Sequence, residues 1–234
     1  MITGLDVGSR TAKGAYFEDG EYSFRVVGSH EWRTLLRGDR AEAATGYFRR
    51  HVPAELRVTE ITTAIYGVRR LLGEEVDVIL DIGGQDTKVI EVRGGGFRMN
   101  DKCSAGTGAF LELMAGQFGL GVEELGEMHG RARRAPEINS TCSVFAQSEV
   151  VSRLVEGYSP EEVIRGVHLA FAKRIAGMVP EGVRRVAVVG GTAKNRGVVE
   201  ALCEVLGAEV LVPEEPQVVN AVGAVEYYLR RRGR

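Results

Sequence analysis

The fold is indicated most clearly by the residues Val78-Ile-Leu-Asp-Ile-Gly-Gly-Gln-Asp-Thr-Lys-Val-Ile90. It reads as a buried strand that ends at Asp81, a Gly83-Gly84 turn, and a second strand that runs straight back. Glycines in such a turn expose backbone amides, and a carboxylate at the strand end can hold magnesium-bound water over a triphosphate. This stretch therefore predicts a nucleotide-binding hairpin.

The beginning of the chain has the same format. An apolar strand ends in Asp6, a turn contains Gly8 and Ser9, and a returning strand contains Thr11 and Lys13. One Asp-x-Gly turn is weak evidence, because turns use these residues everywhere. Two hairpins of one format are stronger evidence, and we expect them to face one another across a cleft and to contact the phosphates of a nucleotide from both sides.

Two cysteines follow the second hairpin, each in a polar stretch ahead of a predicted helix. Cys103 precedes a Gly-Thr-Gly turn and a helix predicted over 105–118, and Cys142 precedes a helical run over 144–151. A helix N-terminus favours a thiolate or another anion through its partial positive charge. The third cysteine, Cys203, follows the apolar spacing of a helix and is predicted to be a small buried hydrophobe.

A third glycine-rich segment follows a buried strand that begins at Arg185. Gly190 and Gly191 would let a flat ring such as adenine lie against the backbone, with Thr192 and Asn195 beside it. A plain strand-to-helix turn is the alternative.

The remaining segments are predicted more coarsely. Residues 59–72 have the spacing of an amphipathic helix that stops at Gly73, and Ser159-Pro-Glu-Glu162 begins another with a capping box. Residues 120–137 read as a polar connection. The span from Gly28 to Val58 mixes charged residues with an element that fits a strand or a turn, and it is left open.

Composition limits the classes of function. The chain has 234 residues, 31 of them glycine, and a formal net charge of −2. This charge gives no reason to expect nucleic acid or an anionic membrane as the main partner. No apolar run reaches the roughly 18 residues that span a bilayer, and no signal peptide is apparent, so we expect a cytoplasmic protein.

Taken together, the motifs resemble the five nucleotide-binding elements of the actin, heat-shock chaperone and sugar-kinase superfamily. Within it, the chain is most similar to the ATP-dependent, iron-sulfur activators of 2-hydroxyacyl-CoA dehydratases and benzoyl-CoA reductases. The motifs are Asp6-x-Gly-Ser9, Asp81–Lys88, Asn100–Gly108, Val189–Asn195 and Ala221-x-Gly-Ala224. The resemblance implies an α/β fold of two ribonuclease-H-like lobes with ATP in the cleft between them. We expect residues 1–75 and 218–234 in the first lobe, and 76–217 in the second.

The resemblance also implies roles for single residues. Asp6 and Asp81 would hold hydrated Mg²⁺, and Gln85 or Asp86 would orient the attacking water. Phosphates would be bound by Gly8, Ser9, Thr11, Lys13, Gly83, Gly84, Thr87, Gly106, Thr107 and Gly108, and adenosine by Gly190, Gly191, Thr192 and Asn195.

The activity implied is ATP hydrolysis that injects one low-potential electron into a partner dehydratase or reductase. A 4Fe-4S cluster takes four thiolates, and a homodimer supplies them as Cys103 and Cys142 of each copy. A ferredoxin- or flavodoxin-type protein would be the electron donor. Helix-start cysteines could instead be capping accidents or ligands of adventitious zinc.

Two further functions fit the same motifs. A small-molecule kinase of this fold would phosphorylate an added acceptor, although the segment between the hairpins is short for a sugar-binding insertion. A non-catalytic, nucleotide-dependent assembly factor would bind ATP without turnover.

Overall fold

The computed structural model describes residues 1–139 and 141–233. Ser140, inside the predicted Asn139–Ser143 motif, and Arg234, at the end of the predicted first lobe, lie outside the described residues. The strands are β1 Ile2–Val7, β2 Thr11–Glu18, β3 Glu21–Gly28, β4 Ala41–Thr45, β5 Ala54–Arg57, β6 Val78–Ile82, β7 Thr87–Glu91, β8 Phe97–Asn100, β9 Arg185–Val189 and β10 Glu209–Leu211. The α-helices are α1 Glu60–Leu72, α2 Gly108–Phe118, α3 Val122–His129, α4 Ser143–Val155, α5 Pro160–Ala176, α6 Arg196–Leu206 and α7 Val219–Arg231.

The chain divides into two compact units. Unit 1 is Met1–Glu75 with Val212–Arg234, and unit 2 is Val76–Leu211. The chain therefore returns to unit 1 after β10, where the sequence placed the return at residue 218.

Each unit contains a five-stranded sheet of the same topology. The order is β3-β2-β1-β4-β5 in unit 1 and β8-β7-β6-β9-β10 in unit 2. In both sheets the first strand pairs antiparallel with the next one in the sequence and parallel with a strand on its other side. The predicted α/β fold of two lobes is confirmed, and the structure adds that the two sheets share one topology.

The core of unit 1 lies on both faces of its sheet. On one face Leu5 and Val7 pack with Leu35 and Val52, which come from the span that the sequence left open. On the other face Ala15 packs with residues of α7 such as Val222. The open span contains two short 3₁₀ helices, Ser29–Leu35 and Arg49–His51, as well as β4 and β5.

Helices α1 and α7 approach each other at two glycines. A Cβ at Gly67 would lie 2.0 Å from the carbonyl oxygen of Val219, and one at Gly223 would lie 1.8 Å from that of Thr63. Both positions therefore need glycine for packing. Thr63 also donates a hydrogen bond to Asn220 across this contact.

Three sequence predictions were wrong in detail. The connection over 120–137 contains α3, which begins after Gly121 and buries Leu125. Helix α2 begins at Gly108 rather than at 105, so Cys103 lies in a loop and not at a helix start. Cys203 is exposed, because Val198, Ala201 and Leu202 form the buried face of α6.

None of the helices in the described part of the chain is long and apolar enough to cross a membrane.

Candidate nucleotide and cysteine sites

The first hairpin brings its carboxylate and its lysine together. Asp6 at the end of β1 lies opposite Lys13 of β2, whose Nζ donates to Asp6 Oδ2 at 3.1 Å. The turn between them is closed by the Gly8 amide, which donates to the Thr11 carbonyl at 3.1 Å. The Ser29 hydroxyl donates to the Gly8 carbonyl from outside the hairpin. The candidate phosphate turn of unit 1 is thus held on two sides.

The other oxygen of the Asp6 carboxylate is buried without a hydrogen-bond partner. It faces the backbone of Gly46, where a Cβ would approach Oδ1 to 2.5 Å. A buried carboxylate oxygen that lacks a donor is destabilising, and a cation-bound water would satisfy it. Asp6 therefore fits the requirement for a residue that binds hydrated Mg²⁺.

The second hairpin repeats this register. Asp81 of β6 lies opposite Lys88 of β7, as Asp6 lies opposite Lys13. Lys88 Nζ donates to Asp86 Oδ2 at 2.8 Å, and the Gly83 amide donates to the Asp86 carbonyl at 2.9 Å. Asp81 and Lys88 are both buried, whereas Gln85 is exposed at the tip of the turn.

The start of α2 is bonded to the turn of the second hairpin. The amides of Gly108 and Ala109 donate to the carbonyls of Gly83 and Gly84 at 2.9 and 2.8 Å. The Thr87 hydroxyl donates to the Gly106 carbonyl at 2.6 Å. Because these α2 amides are used inside the protein, the helix start positions the turn and does not offer those amides to phosphate.

The segment after β9 also lies beside the end of β6, next to the Gly83 turn of unit 2. Strand β9 pairs with β6 so that Val189 lies beside Asp81. Gly190 has φ 92°, and a Cβ there would lie 2.4 Å from the carbonyl oxygen of Ile82. The Thr192 hydroxyl lies 3.1 Å from where Gly108 would carry a Cβ. The structure thus brings the turns at 83–84, 106–108 and 190–192 together within unit 2.

The side chain of Asn195 makes its hydrogen bonds within the protein. Its Oδ1 accepts the Val198 amide and caps α6, and its Nδ2 donates to the Val122 carbonyl at 2.7 Å. Nδ2 also lies 3.3 Å from His168 Nε2. The buried side chain fastens α6 to the start of α3, and this use competes with the adenosine contact that the resemblance implies.

The loops that carry Cys103 and Cys142 lie against each other. The Cys103 thiol is 3.9 Å from the Thr141 carbonyl oxygen, and the neighbouring hydroxyls of Ser104 and Ser143 are 2.9 Å apart. Both cysteines are half-buried and unbridged, and Cys142 is the N-cap residue of α4. Two thiols on adjacent, partly exposed loops fit one side of a cluster that two chains share.

The profile of the BadF/BadG/BcrA/BcrD ATPase family matches residues 33–227, which is most of the chain. The chain belongs to this ATPase family. The fold and motif resemblance is thereby confirmed, and so is the prediction of an ATP-binding ATPase.

Several relatives of this ATPase are named as activators of acyl-CoA dehydratases. It is 39% identical to the activator of lactoyl-CoA dehydratase from Anaerotignum propionicum, over 96% of this chain and 95% of the relative. Its structure is similar to component A of (R)-2-hydroxyglutaryl-CoA dehydratase from Acidaminococcus fermentans, with a TM-score of 0.90, 32% identity, and coverage of 100% and 99% of the two chains. It is also similar to the Clostridium difficile activator of 2-hydroxyisocaproyl-CoA dehydratase with bound ADPNP, with a TM-score of 0.87, 33% identity, and coverage of 99% and 95%.

The ATPase has a buried histidine pair that sequence reasoning missed. His129 and His168 place their Nδ1 atoms 3.0 Å apart. Burial lowers the pKa of His168 to about 3, with a smaller effect of His129, and burial also lowers the pKa of His129, helped by Arg165. Both rings are therefore neutral near pH 7. Since the Asn195 amide faces His168 Nε2, the His168 proton is on Nδ1 and points at His129.

Two asparagines beside the cysteines were also missed as functional candidates. Asn100 and Asn139 each stand three residues before a cysteine, and this shared spacing is visible in the sequence. Their hydrogen bonds hold the two cysteine loops.

Proposed function

We propose that this ATPase activates a partner enzyme of the 2-hydroxyacyl-CoA dehydratase or benzoyl-CoA reductase type by delivering one low-potential electron. Two copies of the chain would hold one 4Fe-4S cluster through Cys103 and Cys142. The cluster, when bound, supplies one electron to the partner and regains one from a ferredoxin- or flavodoxin-type donor. The names of the relatives favour a dehydratase as the partner.

The observation that carries this proposal is the approach of the two cysteine loops. The contact between Cys103 and Thr141 and the contact between Ser104 and Ser143 join segments that lie 39 residues apart in the sequence. Cys203 lies on α6 and does not belong to this group. One chain therefore offers two thiols on adjacent loops, and four-thiolate ligation requires a second chain.

An apolar surface beside Cys142 supports a second copy as the occupant of this face. On α4, Val144 is 64% exposed, Val151 51% and Val155 84%. Their spacing of seven and four residues puts them on one side of the helix, with Phe145 next to Val144 and 63% exposed. Exposed apolar side chains in such a row are typical of an interface. We propose that the α4 face of a second copy covers part of it.

We propose that the residues of each hairpin act on ATP mainly through position and charge. Asp6 would bind a magnesium-bound water through its unpartnered oxygen, while Lys13 orients the carboxylate by donating to its other oxygen. In unit 2, Asp81 would have the equivalent role, with Asp86 or Gln85 orienting the attacking water. Phosphoryl transfer to water needs little covalent participation of the protein, so such positioning is sufficient.

Bonds within unit 2 support coupling between nucleotide and cysteines. The turn at Gly83 and Gly84 accepts the first amides of α2, and the loop directly before α2 carries Cys103. A change of the turn on ATP hydrolysis would therefore move the start of α2 and the Cys103 loop with it. To shift such an element from 1:99 to 99:1, the nucleotide states must differ in preference by about 5.5 kcal/mol.

The test uses three single variants prepared without oxygen: C103A, C142A and C203A. We expect C103A and C142A to lose the iron and sulfide and to keep ADPNP binding, whereas C203A keeps all three. Full iron content in C103A or C142A would overturn the ligand assignment.

Activity distinguishes the rival functions. We expect ATP hydrolysis by the reduced protein to activate an acyl-CoA dehydratase with an electron donor present. Phosphorylation of an added small-molecule acceptor by iron-free protein would indicate a kinase. ATP binding without turnover, with partner and reductant present, would indicate an assembly factor.

A further inference from the structure

Each cysteine loop is shaped by an asparagine three residues before the cysteine. The stretches are Asn100-Asp-Lys-Cys103 and Asn139-Ser-Thr-Cys142. We propose that Asn100 and Asn139 are positioning residues for the cysteines, and that they act through opposite ends of their amide groups. This inference rests on the proposed function for its consequence, because the cysteines matter as cluster ligands.

Asn100 acts as a donor. It is the last residue of β8, and its side chain is buried. Nδ2 donates to the Cys103 carbonyl at 3.0 Å and to the Ala105 carbonyl at 2.7 Å. Both N–H groups of the amide are therefore used on carbonyls that flank Ser104. The loop is folded around this side chain, so the direction in which Cys103 leaves the backbone depends on it.

Asn139 acts as an acceptor. Its Oδ1 accepts the Thr141 amide and the Cys142 amide, both at 2.9 Å. Its own backbone amide donates to Glu149 Oε2 at 2.6 Å, which ties the loop to α4. Two amides at the N-terminus of α4, one of them that of Cys142 itself, are thus used on Asn139.

The hydrogen-bond partners determine the orientation of each asparagine side-chain amide. If the Asn100 amide were reversed, its oxygen would face two carbonyl oxygens; if that of Asn139 were reversed, its NH₂ would face two N–H groups. Neither reversed arrangement has a hydrogen bond. The two sites therefore make different demands: Asn100 needs its donors, and Asn139 needs only its acceptor.

The acceptor role has a consequence for the reduction potential. N–H groups that donate to cluster or cysteine sulfur stabilise the more negative, reduced form and so raise the potential. By holding the Thr141 and Cys142 amides, Asn139 withholds two such donors from sulfur. We infer that Asn139 helps to keep the potential low, which an electron-injecting protein needs.

Replacement by aspartate separates the two roles, since aspartate keeps the acceptor and loses the donors. We expect N139D to retain wild-type iron and sulfide, whereas N139A retains less. In the cluster that N139A keeps, we expect the reduction equilibrium to shift toward the reduced form by about tenfold, which is about 59 mV for one electron. N139D should not raise the potential, because its added negative charge disfavours reduction. We expect N100D to lose iron as fully as N100A.

A second measurement does not depend on the cluster. Hydrogen exchange of the Thr141 and Cys142 amides in iron-free protein should be slow in wild type and N139D, and at least tenfold faster in N139A. Since Asn100 is buried, ADPNP binding and the thermal midpoint of each variant show whether unit 2 is folded. A folded N100D with full iron content, or unchanged exchange in N139A, would overturn the inference. Wild-type protein without iron would instead refute the proposed function, and the exchange result would still decide the role of Asn139.

Discussion

Replacing Gly190 by alanine tests the convergence of the loops in unit 2. Gly190 joins β9 to the segment 191–194 at φ 92° and ψ 173°, a region that only glycine adopts readily. A Cβ there would lie 2.4 Å from the Ile82 carbonyl oxygen, at the end of β6 and directly before the Gly83 turn. G190A must therefore move the end of β6 or the start of the 191–194 segment.

The size of the effect follows from two contributions. Backbone strain in this region costs about 1–3 kcal/mol for a residue other than glycine. Overpacking against rigid backbone costs about 1–3 kcal/mol more. Gly182 provides a matched control, because it also has a positive φ, 77°, but a Cβ there would meet nothing within 4 Å. G182A should show only the strain, about 1–2 kcal/mol.

Thermal unfolding followed by circular dichroism measures the difference. For a chain of this size 1 kcal/mol corresponds to about 2–4 °C in Tm. The two variants differ by the overpacking contribution, so we expect G190A to unfold about 2–12 °C below G182A and to bind ADPNP more weakly, while G182A binds it normally. If the two variants unfold at the same temperature and bind equally, the close approach of Gly190 to Ile82 is refuted.

Three further predictions concern other parts of the molecule. D6N should lower ATPase turnover by about 10²-fold, because it removes the charge of a buried carboxylate that lies 3.1 Å from Lys13; turnover at saturating ATP within threefold of wild type would contradict this. G223A should destabilise the protein, since its Cβ would lie 1.8 Å from the Thr63 carbonyl oxygen. G116A on α2, where a Cβ would meet nothing within 4 Å, should stabilise it by about 0.5–1 kcal/mol. If urea unfolding shows that both substitutions change the free energy of unfolding in the same direction, the packing argument is refuted. Burial lowers the pKa of His168 in the folded protein to about 3, from a usual 6.5. The unfolded chain therefore binds the proton first, and the free energy of unfolding falls as the pH decreases from 6.5, by up to about 1.4 kcal/mol per pH unit. In urea unfolding between pH 6.5 and 4.5, the free energy of unfolding of H168Q should depend less on pH, and an unchanged dependence would exclude His168 as its source.

The repeated hairpin made the fold predictable from the sequence. Asp6 with Lys13 and Asp81 with Lys88 occupy equal registers in two sheets of one topology, because local turn residues and alternating apolar positions specify a hairpin. The span 28–58 was not predictable, since Leu35 and Val52 become core only by packing on Leu5 and Val7 of a distant strand. Long-range packing of this kind leaves no local pattern.

The candidate site was predicted from the sequence as a set of residue types, and the structure adds their partners within the protein. The motifs picked out cysteines and glycines as candidates, but the Gly108 amide donates to the Gly83 carbonyl, and Asn195 caps α6. A glycine or asparagine at a helix start satisfies the same local rule whether its partner is a ligand or the protein. Only the tertiary partners distinguish these cases.

Whether two chains share one cluster is decided by the iron and sulfide content of protein purified without oxygen, measured together with its mass in solution. We expect a dimer with four irons and four sulfides per two chains, and iron-free protein in C103A and C142A. A monomer in every nucleotide state, or a dimer without iron, would contradict this expectation.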